Sequence, residues 1–166
     1  VPCSHPDSNA LLVQTHLQQG LAAQAQLVRM VTTQIGPLEP PQTLAQSAAA
    51  ALLDAGTADV LVLGMGVDGH TASLFPGAPN LAEALDLNNR QACIAIELAH
   101  PPANAPYPRI TQTLAQVLSA RHIVLPVTGT DKLNTLEQAW KVMSPKLPVS
   151  YVLNQNQTPV ALWLAS

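Results

Sequence analysis

Short apolar runs alternate with stretches of helical periodicity along most of the chain. The run at residues 59–64, Asp-Val-Leu-Val-Leu-Gly, is continuous, which is typical of a strand buried on both faces of a parallel sheet. Further runs with the character of strands occupy residues 93–96, 110–113, 122–127, 150–153 and 160–164. Helical patterns at residues 114–120 and 132–142 separate several of these runs. Strands separated by helices predict βαβ crossovers and therefore an α/β fold.

Two helices are predicted before the first strand. The side-chain oxygens of Asp7-Ser8-Asn9 can cap a helix start, and apolar residues recur from there to Met30 in an amphipathic stretch. Prolines between residues 37 and 41 interrupt this stretch, because proline cannot continue a helix interior. A second helix is predicted at residues 41–55, with Gly56 in the C-cap position. A proline-rich segment at residues 101–108 is predicted to be a loop.

Composition narrows the possible functions of this chain. Its 166 residues are 48% apolar and only 10% charged, with a net charge of −3, so an intrinsically disordered chain is excluded. Seven scattered basic residues cannot form the cluster that nucleic-acid binding needs. There is no apolar run long enough to span a membrane and no signal-peptide pattern, so we expect a cytoplasmic protein without a membrane partner. We expect a single α/β domain over residues 1–166, with Cys3 and Cys93 as incidental thiols.

The glycine-rich segment at residues 64–77, Gly-Met-Gly-Val-Asp-Gly-His-Thr-Ala-Ser-Leu-Phe-Pro-Gly, is the strongest candidate for chemistry. It follows the best predicted strand, and ligands of parallel α/β sheets bind at the carboxyl ends of strands. Gly64, Gly66 and Gly69 match the G-x-G-x-x-G dinucleotide fingerprint. That fingerprint should open a long helix, whereas Pro76-Gly77 interrupts this segment early. Nicotinamide binding is therefore disfavoured.

Asp68 and His70 are the candidate catalytic pair in this segment. An imidazole titrates near neutrality and can act as a general base, and a nearby carboxylate can orient it. The four other histidines, at positions 5, 16, 100 and 122, have no comparable setting, and His122 is expected to be structural. Ser73 lacks the G-x-S-x-G elbow of a serine hydrolase and is expected to be a helix residue.

Two basic residues lie where predicted strands meet the neighbouring loop or helix. Arg109 stands where a loop enters a strand, and Lys132 stands in the first turn of a predicted helix after a strand. A lysine in a first turn opposes the helix dipole, so its position indicates an anionic ligand. In a chain with so few charges, Arg109 and Lys132 together suggest a small phosphate site.

These residues resemble the signature of the 6-phosphogluconolactonases, in the superfamily that also contains the glucosamine-6-phosphate isomerases. The resemblance rests on residues 59–66 and 68–77, on Pro108-Arg109-Ile110-Thr111, and on Val127-Thr128-Gly129 with Lys132, and it covers essentially the whole chain. It implies a Rossmann-like three-layer sandwich with a mostly parallel sheet. It also implies hydrolysis of 6-phosphogluconolactone to 6-phosphogluconate in the oxidative pentose phosphate pathway. No metal and no cofactor are implied, and we expect a monomer or a weak homodimer.

The resemblance also implies roles for individual residues. His70 would activate water against the lactone carbonyl, with Asp68 beside it. The glycine-rich backbone is the expected source of donors to the developing oxyanion. Arg109 and Lys132 would hold the phosphate. The remaining substrate contacts are expected from Asn9, Gly66, Gly69 and Thr71.

The chain departs from the family pattern at several points. Val67 stands where the family often has proline, and Ala99-His100-Pro101-Pro102 lacks a lysine that commonly precedes the prolines. The family's domain begins with a strand, a Ser-Gly-Gly loop and an Asp-Glu-Arg segment, none of which is in this sequence. We therefore expect the chain to correspond to about the last three quarters of the domain, with its N-terminal strands missing and apolar sheet edges exposed.

Two alternatives remain open. A glucosamine-6-phosphate deaminase-like isomerase would also carry Asp-Gly-His, but its following Phe-Asn-Glu-Pro segment supplies a glutamate that assists ring opening. Phe75 occupies that glutamate's position here and cannot transfer a proton, which favours the lactonase. The other alternative is a sugar-phosphate binding domain without catalytic activity.

Overall fold

The computed structural model describes residues 1–31, 39–98 and 107–165, in which helices and strands alternate along most of the chain. In chain order the elements are α1 (Asn9–His16), a 3-10 turn (Gly20–Ala22), α2 (Pro41–Ala55), β1 (Val60–Val62), α3 (Leu81–Leu85), β2 (Cys93–Ile96), β3 (Arg109–Gln112), α4 (Leu114–Val117), β4 (His122–Thr128), α5 (Thr130–Lys141), α6 (Val149–Leu153) and β5 (Val160–Ala165). The predicted α/β class is confirmed.

A parallel sheet forms from three strands in the order β1-β4-β5. Its register pairs Leu61 with Ile123 and Leu125 with Leu162. Ile123, Leu125 and Val127 of β4 point to one face and are almost completely buried, at 0, 0 and 1% exposure. They belong to a large hydrophobic cluster, the main core, which also contains buried residues of α5 and α6. Burial of this face is therefore the principal contribution of the parallel sheet to stability.

The opposite face of the same sheet is open to solvent. Val60, Val62 and Trp163 are 57, 65 and 67% exposed. The prediction that the first strand is buried on both faces is therefore wrong, because side chains alternate across a strand and only one face is covered. Strand β1 lies at the edge of this sheet, with one side unpaired among the described strands.

Strands β2 and β3 form a separate antiparallel pair. Ile94 lies opposite Thr111, and Ile96 lies opposite Arg109, so these four residues share one face. Ile94 and Ile96 join the main core, which places Thr111 and Arg109 on the side facing it. The other face packs on α2 in a smaller hydrophobic group, the second cluster, whose buried members are Ala45, Ala48 and Cys93. The β2–β3 pair is thus a layer between α2 and the main core.

One predicted strand is a helix. Residues 150–153 lie within α6, which begins after Pro148 with that proline already in helical conformation. A short apolar run does not distinguish a strand from a buried helical turn, and the rigid φ of proline favours a helix start here. Val149 and Val152, three residues apart, are both completely buried, as the helical period requires.

The predicted amphipathic helix from residue 9 towards Met30 is much shorter in the structure. Ser8 caps α1 by accepting a hydrogen bond from the Leu11 N–H, as predicted, but α1 ends at His16. Leu17 and Leu21 beyond it are exposed, so their apolar side chains have no surface on which to extend the helix. Helix α2 agrees with the prediction and ends at Gly56, whose N–H donates to two carbonyls of its last turn.

Some predictions fall outside the described residues. These are the proline at position 37, the Ala99-His100-Pro101-Pro102 departure and most of the predicted loop at residues 101–108. Among the described residues, no helix combines the length and apolar content needed to cross a bilayer.

Candidate active site

The segment at residues 64–77, the signature loop, leaves the carboxyl end of β1 and folds back on itself. The hydroxyl of Thr71 donates to the Gly64 carbonyl at 2.8 Å, and the Gly66 N–H donates to the His70 carbonyl at 3.0 Å. Ala72 has a φ of +49°, in the left-handed region that few residues other than glycine adopt. The tight return of the chain brings Asp68 and His70 to the exposed side of the loop.

Two helices hold this loop from outside. The hydroxyl of Thr135 in α5 donates to the Val67 carbonyl at 2.8 Å, and the N–H of Val149 at the start of α6 donates to the Gly69 carbonyl at 2.9 Å. Gly69 has a φ of +76°, and a β-carbon there would lie 2.7 Å from Cδ2 of Leu147. Only glycine satisfies both the conformation and the space at this position.

Asp68 and His70 form a close pair. Oδ1 of Asp68 lies 2.6 Å from Nδ1 of the imidazole and also accepts the His70 backbone N–H at 3.2 Å. A carboxylate oxygen can only accept, so this contact favours a proton on Nδ1, and in the neutral imidazole the other ring nitrogen, Nε2, is then an acceptor. The side chains of His70 and Asp68 are 31 and 47% exposed. The pair is therefore oriented by the protein and accessible to a ligand.

Gly66 forms one wall of this pair. A β-carbon built on Gly66 would lie 2.3 Å from Nδ1 of His70 and 2.5 Å from Oδ1 of Asp68. No real side chain tolerates such contacts. The absence of a side chain at position 66 is thus what allows the carboxylate and the imidazole to meet.

Arg109 approaches the same loop from the β2–β3 pair. Its neighbour on the same strand face, Thr111, accepts the Ser73 N–H at 3.1 Å and so attaches the strand to the loop. The Arg109 guanidinium carbon lies 5.6 Å from the centre of the Phe75 ring, within the range of a cation–π contact. The imidazole of His70 lies 4.4 Å from the same ring, between centroids, at an interplanar angle of 32°. Phe75 therefore contacts both the candidate base and the candidate phosphate ligand.

Asn9 lies near Arg109. Both line a cavity of about 640 Å³ whose described walls also include Ser73 and Arg29, but neither Asp68 nor His70. The segment before α1 is attached to this region because the hydroxyl of Tyr107 donates to Asp7 at 2.7 Å. That hydrogen bond stabilises the protonated phenol and raises the pKa of Tyr107.

Lys132 lies in the first turn of α5, as predicted, and is half-buried. Its side-chain amine makes no hydrogen bond or ion pair with any residue in the described ranges. Lys132 lies about one helical turn before Thr135. The hydroxyl of Thr135 donates to the Val67 carbonyl and so connects this part of α5 to the signature loop. The structure thus brings together Asp68, His70 and Gly66 directly, joins Arg109 to them through Phe75, and places Lys132 on a helix that contacts the same loop.

The conformation of the loop bears on three expectations and contradicts the one about Ser73. Thr71 has no exposed surface and donates its hydroxyl to the Gly64 carbonyl, so its side chain supports the loop, and its contact with a substrate stays a prediction. Ser73 lies in a turn and not in a helix. The N–H groups of Gly66 and Gly69 donate within the loop, to the carbonyls of His70 and Gly66, and the expectation that the loop backbone supplies donors to an oxyanion stays a prediction.

The contributions of Thr135 and Phe75 were not predicted. Thr135 is buried on the apolar face of α5 beside Leu136, and a polar residue at such a position is a signal for a specific hydrogen bond. Within the three described ranges, no group of three or more His, Cys, Asp or Glu side chains could hold a metal ion together. His122, expected to be structural, is exposed at the start of β4.

Comparison with known proteins identifies the relatives of this chain. Residues 1–163 match the family described as glucosamine-6-phosphate isomerases/6-phosphogluconolactonase. A 6-phosphogluconolactonase of Pseudomonas putida is 43% identical over 139 residues, covering 84% of this chain and 54% of the relative. One from Mesorhizobium japonicum is 38% identical over 166 residues, covering 99% of this chain and 66% of the relative. The chain thus spans between about half and two thirds of the length of these relatives.

The solved structures agree in fold. The crystal structure of a 6-phosphogluconolactonase from Shewanella baltica matches with a TM-score of 0.85 at 32% identity, covering 100% of this chain and 68% of that one. A match of this quality confirms the Rossmann-like α/β architecture with its parallel sheet.

Proposed function

The chain belongs to the glucosamine-6-phosphate isomerase/6-phosphogluconolactonase family, and we propose that its site hydrolyses 6-phosphogluconolactone to 6-phosphogluconate. The single observation that carries this proposal is the 2.6 Å contact between Asp68 Oδ1 and His70 Nδ1 beyond the carboxyl end of β1. An imidazole oriented at one nitrogen by a carboxylate presents its other nitrogen as a general base. The names of the relatives support the same class of reaction.

The proposed reaction begins with a water molecule between His70 Nε2 and the lactone carbonyl carbon. Nε2 takes a proton as the water oxygen forms a bond to that carbon, and the carbonyl oxygen becomes an oxyanion. The resulting imidazolium is stabilised by the Asp68 carboxylate at Nδ1. When the tetrahedral intermediate collapses, the bond between the carbonyl carbon and the ring oxygen breaks. The ring oxygen takes the proton from Nε2, and the product is the open-chain acid.

Arg109 and Lys132 are proposed to hold the phosphate. Arg109 contacts Phe75, whose ring also contacts His70, so a guanidinium-bound phosphate lies near the base. Lys132 adds a second charge at the N-terminus of α5, where the helix dipole also favours an anion. The phosphate does not react, so these contacts are expected to contribute binding energy more than chemistry.

Phe75 favours lactone hydrolysis over deamination. The resemblance described above implies that the isomerases have a glutamate at the corresponding position, whose carboxylate assists sugar ring opening. Phe75 has no group that could transfer a proton, and its ring is packed against the main core. His70 is therefore the candidate base of this site, and the proposed hydrolysis of the lactone needs one base.

The direct test is proton release by the full-length protein on addition of freshly prepared 6-phosphogluconolactone, measured above the spontaneous rate. We expect catalysed release without ammonia production from glucosamine 6-phosphate. Ammonia release would instead support the deaminase. Binding of 6-phosphogluconate without any turnover would support a binding domain, and either result would contradict the proposal.

A further inference from the structure

The ring of Phe75 contacts both the candidate base, His70, and the candidate phosphate ligand, Arg109. It is partly buried and packs against the main core, so its own position is fixed by the fold. One of its contacts is with the imidazole of His70, at 4.4 Å between ring centres. The other is with the guanidinium of Arg109, at 5.6 Å from its carbon to the ring centre. Phe75 is the only phenylalanine in the sequence.

The contact with Phe75 helps to fix the plane of the His70 imidazole. Asp68 holds it at Nδ1 alone, and a single hydrogen bond leaves a ring free to rock about that contact. Gly66 closes the side near Nδ1 and Cε1, because even a β-carbon there would overlap these atoms. The Phe75 ring, inclined at 32° to the imidazole, supplies a further surface. Together these contacts determine where Nε2 points.

The guanidinium of Arg109 is held by the same ring from a different part of the fold. Arg109 comes from β3, on the face that is attached to the signature loop where Thr111 accepts the Ser73 N–H. A cation over the face of an aromatic ring is attracted to it, and this contact does not use the N–H groups at the guanidinium edge. The contact with Phe75 is therefore compatible with phosphate binding by Arg109.

We propose that Phe75 is a positioning residue that holds the His70 imidazole and the Arg109 guanidinium in one arrangement, so that a phosphate bound at Arg109 places the lactone carbonyl at His70. This inference rests on the proposed function. Phe75 would thus couple phosphate binding at Arg109 to proton transfer at His70. This role is separate from the earlier argument that Phe75 cannot itself transfer a proton. The ring itself touches no reacting atom in this proposal.

The kinetic test compares Phe75→Met and Phe75→Leu with Phe75→Tyr in the full-length protein. Met and Leu keep an apolar side chain but remove the ring, whereas Tyr keeps the ring. We expect the first two to lose about tenfold or more in kcat/KM on 6-phosphogluconolactone, with kcat lower and KM higher, and Tyr to stay within about threefold. The preference for this substrate over unphosphorylated gluconolactone should fall in Met and Leu, because only the phosphorylated substrate uses Arg109.

The matched control is Tyr151→Leu, which removes another partly buried aromatic ring at the edge of the main core. It should destabilise the fold comparably but leave the substrate preference unchanged. Unchanged preference in Phe75→Met and Phe75→Leu would overturn the proposed coupling even if their activity fell. An equal loss of preference in Tyr151→Leu would also overturn it, since a general loss of packing would then account for the effect.

A spectroscopic measurement separates this inference from the proposed function. In the wild-type protein, the imidazole carbon-bound protons of His70 should show a ring-current shift that is lost in Phe75→Met and kept in Phe75→Tyr. Titration with inorganic phosphate should move these signals in the wild type and much less in Phe75→Met or Arg109→Ala. These results would support the role of Phe75 even if the wild type failed to hydrolyse the lactone. Identical His70 spectra and phosphate responses in wild type and Phe75→Met would contradict it.

Discussion

Two regions of unequal size meet at the candidate site. Among the described residues, the main core contains 20 buried residues, from the parallel sheet, the helices, the signature loop and one face of β2, while the second cluster contains three, Ala45, Ala48 and Cys93. Asp68 and His70 come from a loop attached to the main core. Arg109 comes from β3, which together with β2 lies between the main core and α2. The candidate catalytic pair is thus carried by a loop of the main core, and the candidate phosphate ligand Arg109 is carried by a strand that lies between the two clusters.

Proton transfer and phosphate binding differ in how precisely the residues involved must be positioned. Proton transfer depends on hydrogen-bond geometry, and the signature loop is held at Val67 and Gly69 by two helices. A phosphate is bound mainly by charge, which tolerates small displacements of the cation. Variants of the two regions should therefore affect different kinetic constants.

The largest effect is expected from His70→Ala. Removing the proposed base should lower kcat on 6-phosphogluconolactone by about 10³-fold with little change in KM, as is typical of general bases. The measurement is initial proton release against substrate concentration. The matched control is His122→Ala, because His122 is an exposed histidine at the first position of β4. Full activity in His70→Ala would remove the proposed mechanism.

Gly66→Ala should have the next largest effect. The added β-carbon would lie 2.3 Å from Nδ1 of His70, so the imidazole must move away from Asp68. We expect a loss of about 10²-fold in kcat, because a displaced base loses its alignment with the carbonyl. Gly64→Ala is the control, since a β-carbon there has no atom within 4 Å outside its chain neighbours. Equal effects of the two alanines would refute this explanation.

The second cluster can be examined through the stability of the protein at high pH. Burial raises the pKa of the Cys93 thiol from 9.0 to about 11, so the folded state keeps a proton that the unfolded state loses first. The free energy of unfolding should therefore be fully retained below pH 9 and fall as the pH rises towards 11, by at most about 2 to 3 kcal/mol. Urea unfolding across this range should show the decline in the wild type.

The comparison for this measurement is Cys93→Ala, which removes the ionisable group. The part of the decline due to Cys93 should be missing in that variant and present in Cys3→Ala. The same pH dependence in wild type and Cys93→Ala would show that the thiol does not contribute.

A smaller effect is expected at the phosphate cations. Arg109→Ala and Lys132→Ala should each raise KM about tenfold and lower kcat by a smaller factor, because the phosphate they bind does not itself react. Arg121→Ala is the matched control for the arginine, since Arg121 pairs with Asp59 at the opposite end of the sheet. Unchanged KM in both site variants would mean that the phosphate is bound elsewhere.

Local features of this molecule were readily predicted from its sequence. The cap at Ser8, the end of α2 at Gly56 and the strand before the signature loop depend on residues close together in the chain. The closeness of Asp68 and His70 belongs to the same group, because two residues on either side of a glycine in a tight turn are held near each other by the backbone. Such interactions close short loops at little entropic cost.

Features that depend on packing were predicted less well. Residues 150–153 have the composition of a strand, but they form α6 after Pro148 with Val149 and Val152 buried in the main core. The stretch after His16 has a helical pattern, yet Leu17 and Leu21 have no surface to cover and α1 ends. In both cases the local preference was weak, and the neighbouring surface decided the outcome.

The sequence by itself determined the candidate catalytic pair and the glycines that make room for it, because Gly66, Asp68, Gly69 and His70 lie within one turn of the chain. The sequence also indicated Arg109 as a charge of the site, but only the tertiary structure decided that Arg109 is connected to this pair through Phe75. Arg109 contacts Phe75 because β3 pairs with β2 in one register and because the Ile94 and Ile96 side of that pair joins the main core. That arrangement follows from many weak apolar contacts between distant segments, and no single residue type in the sequence signals it.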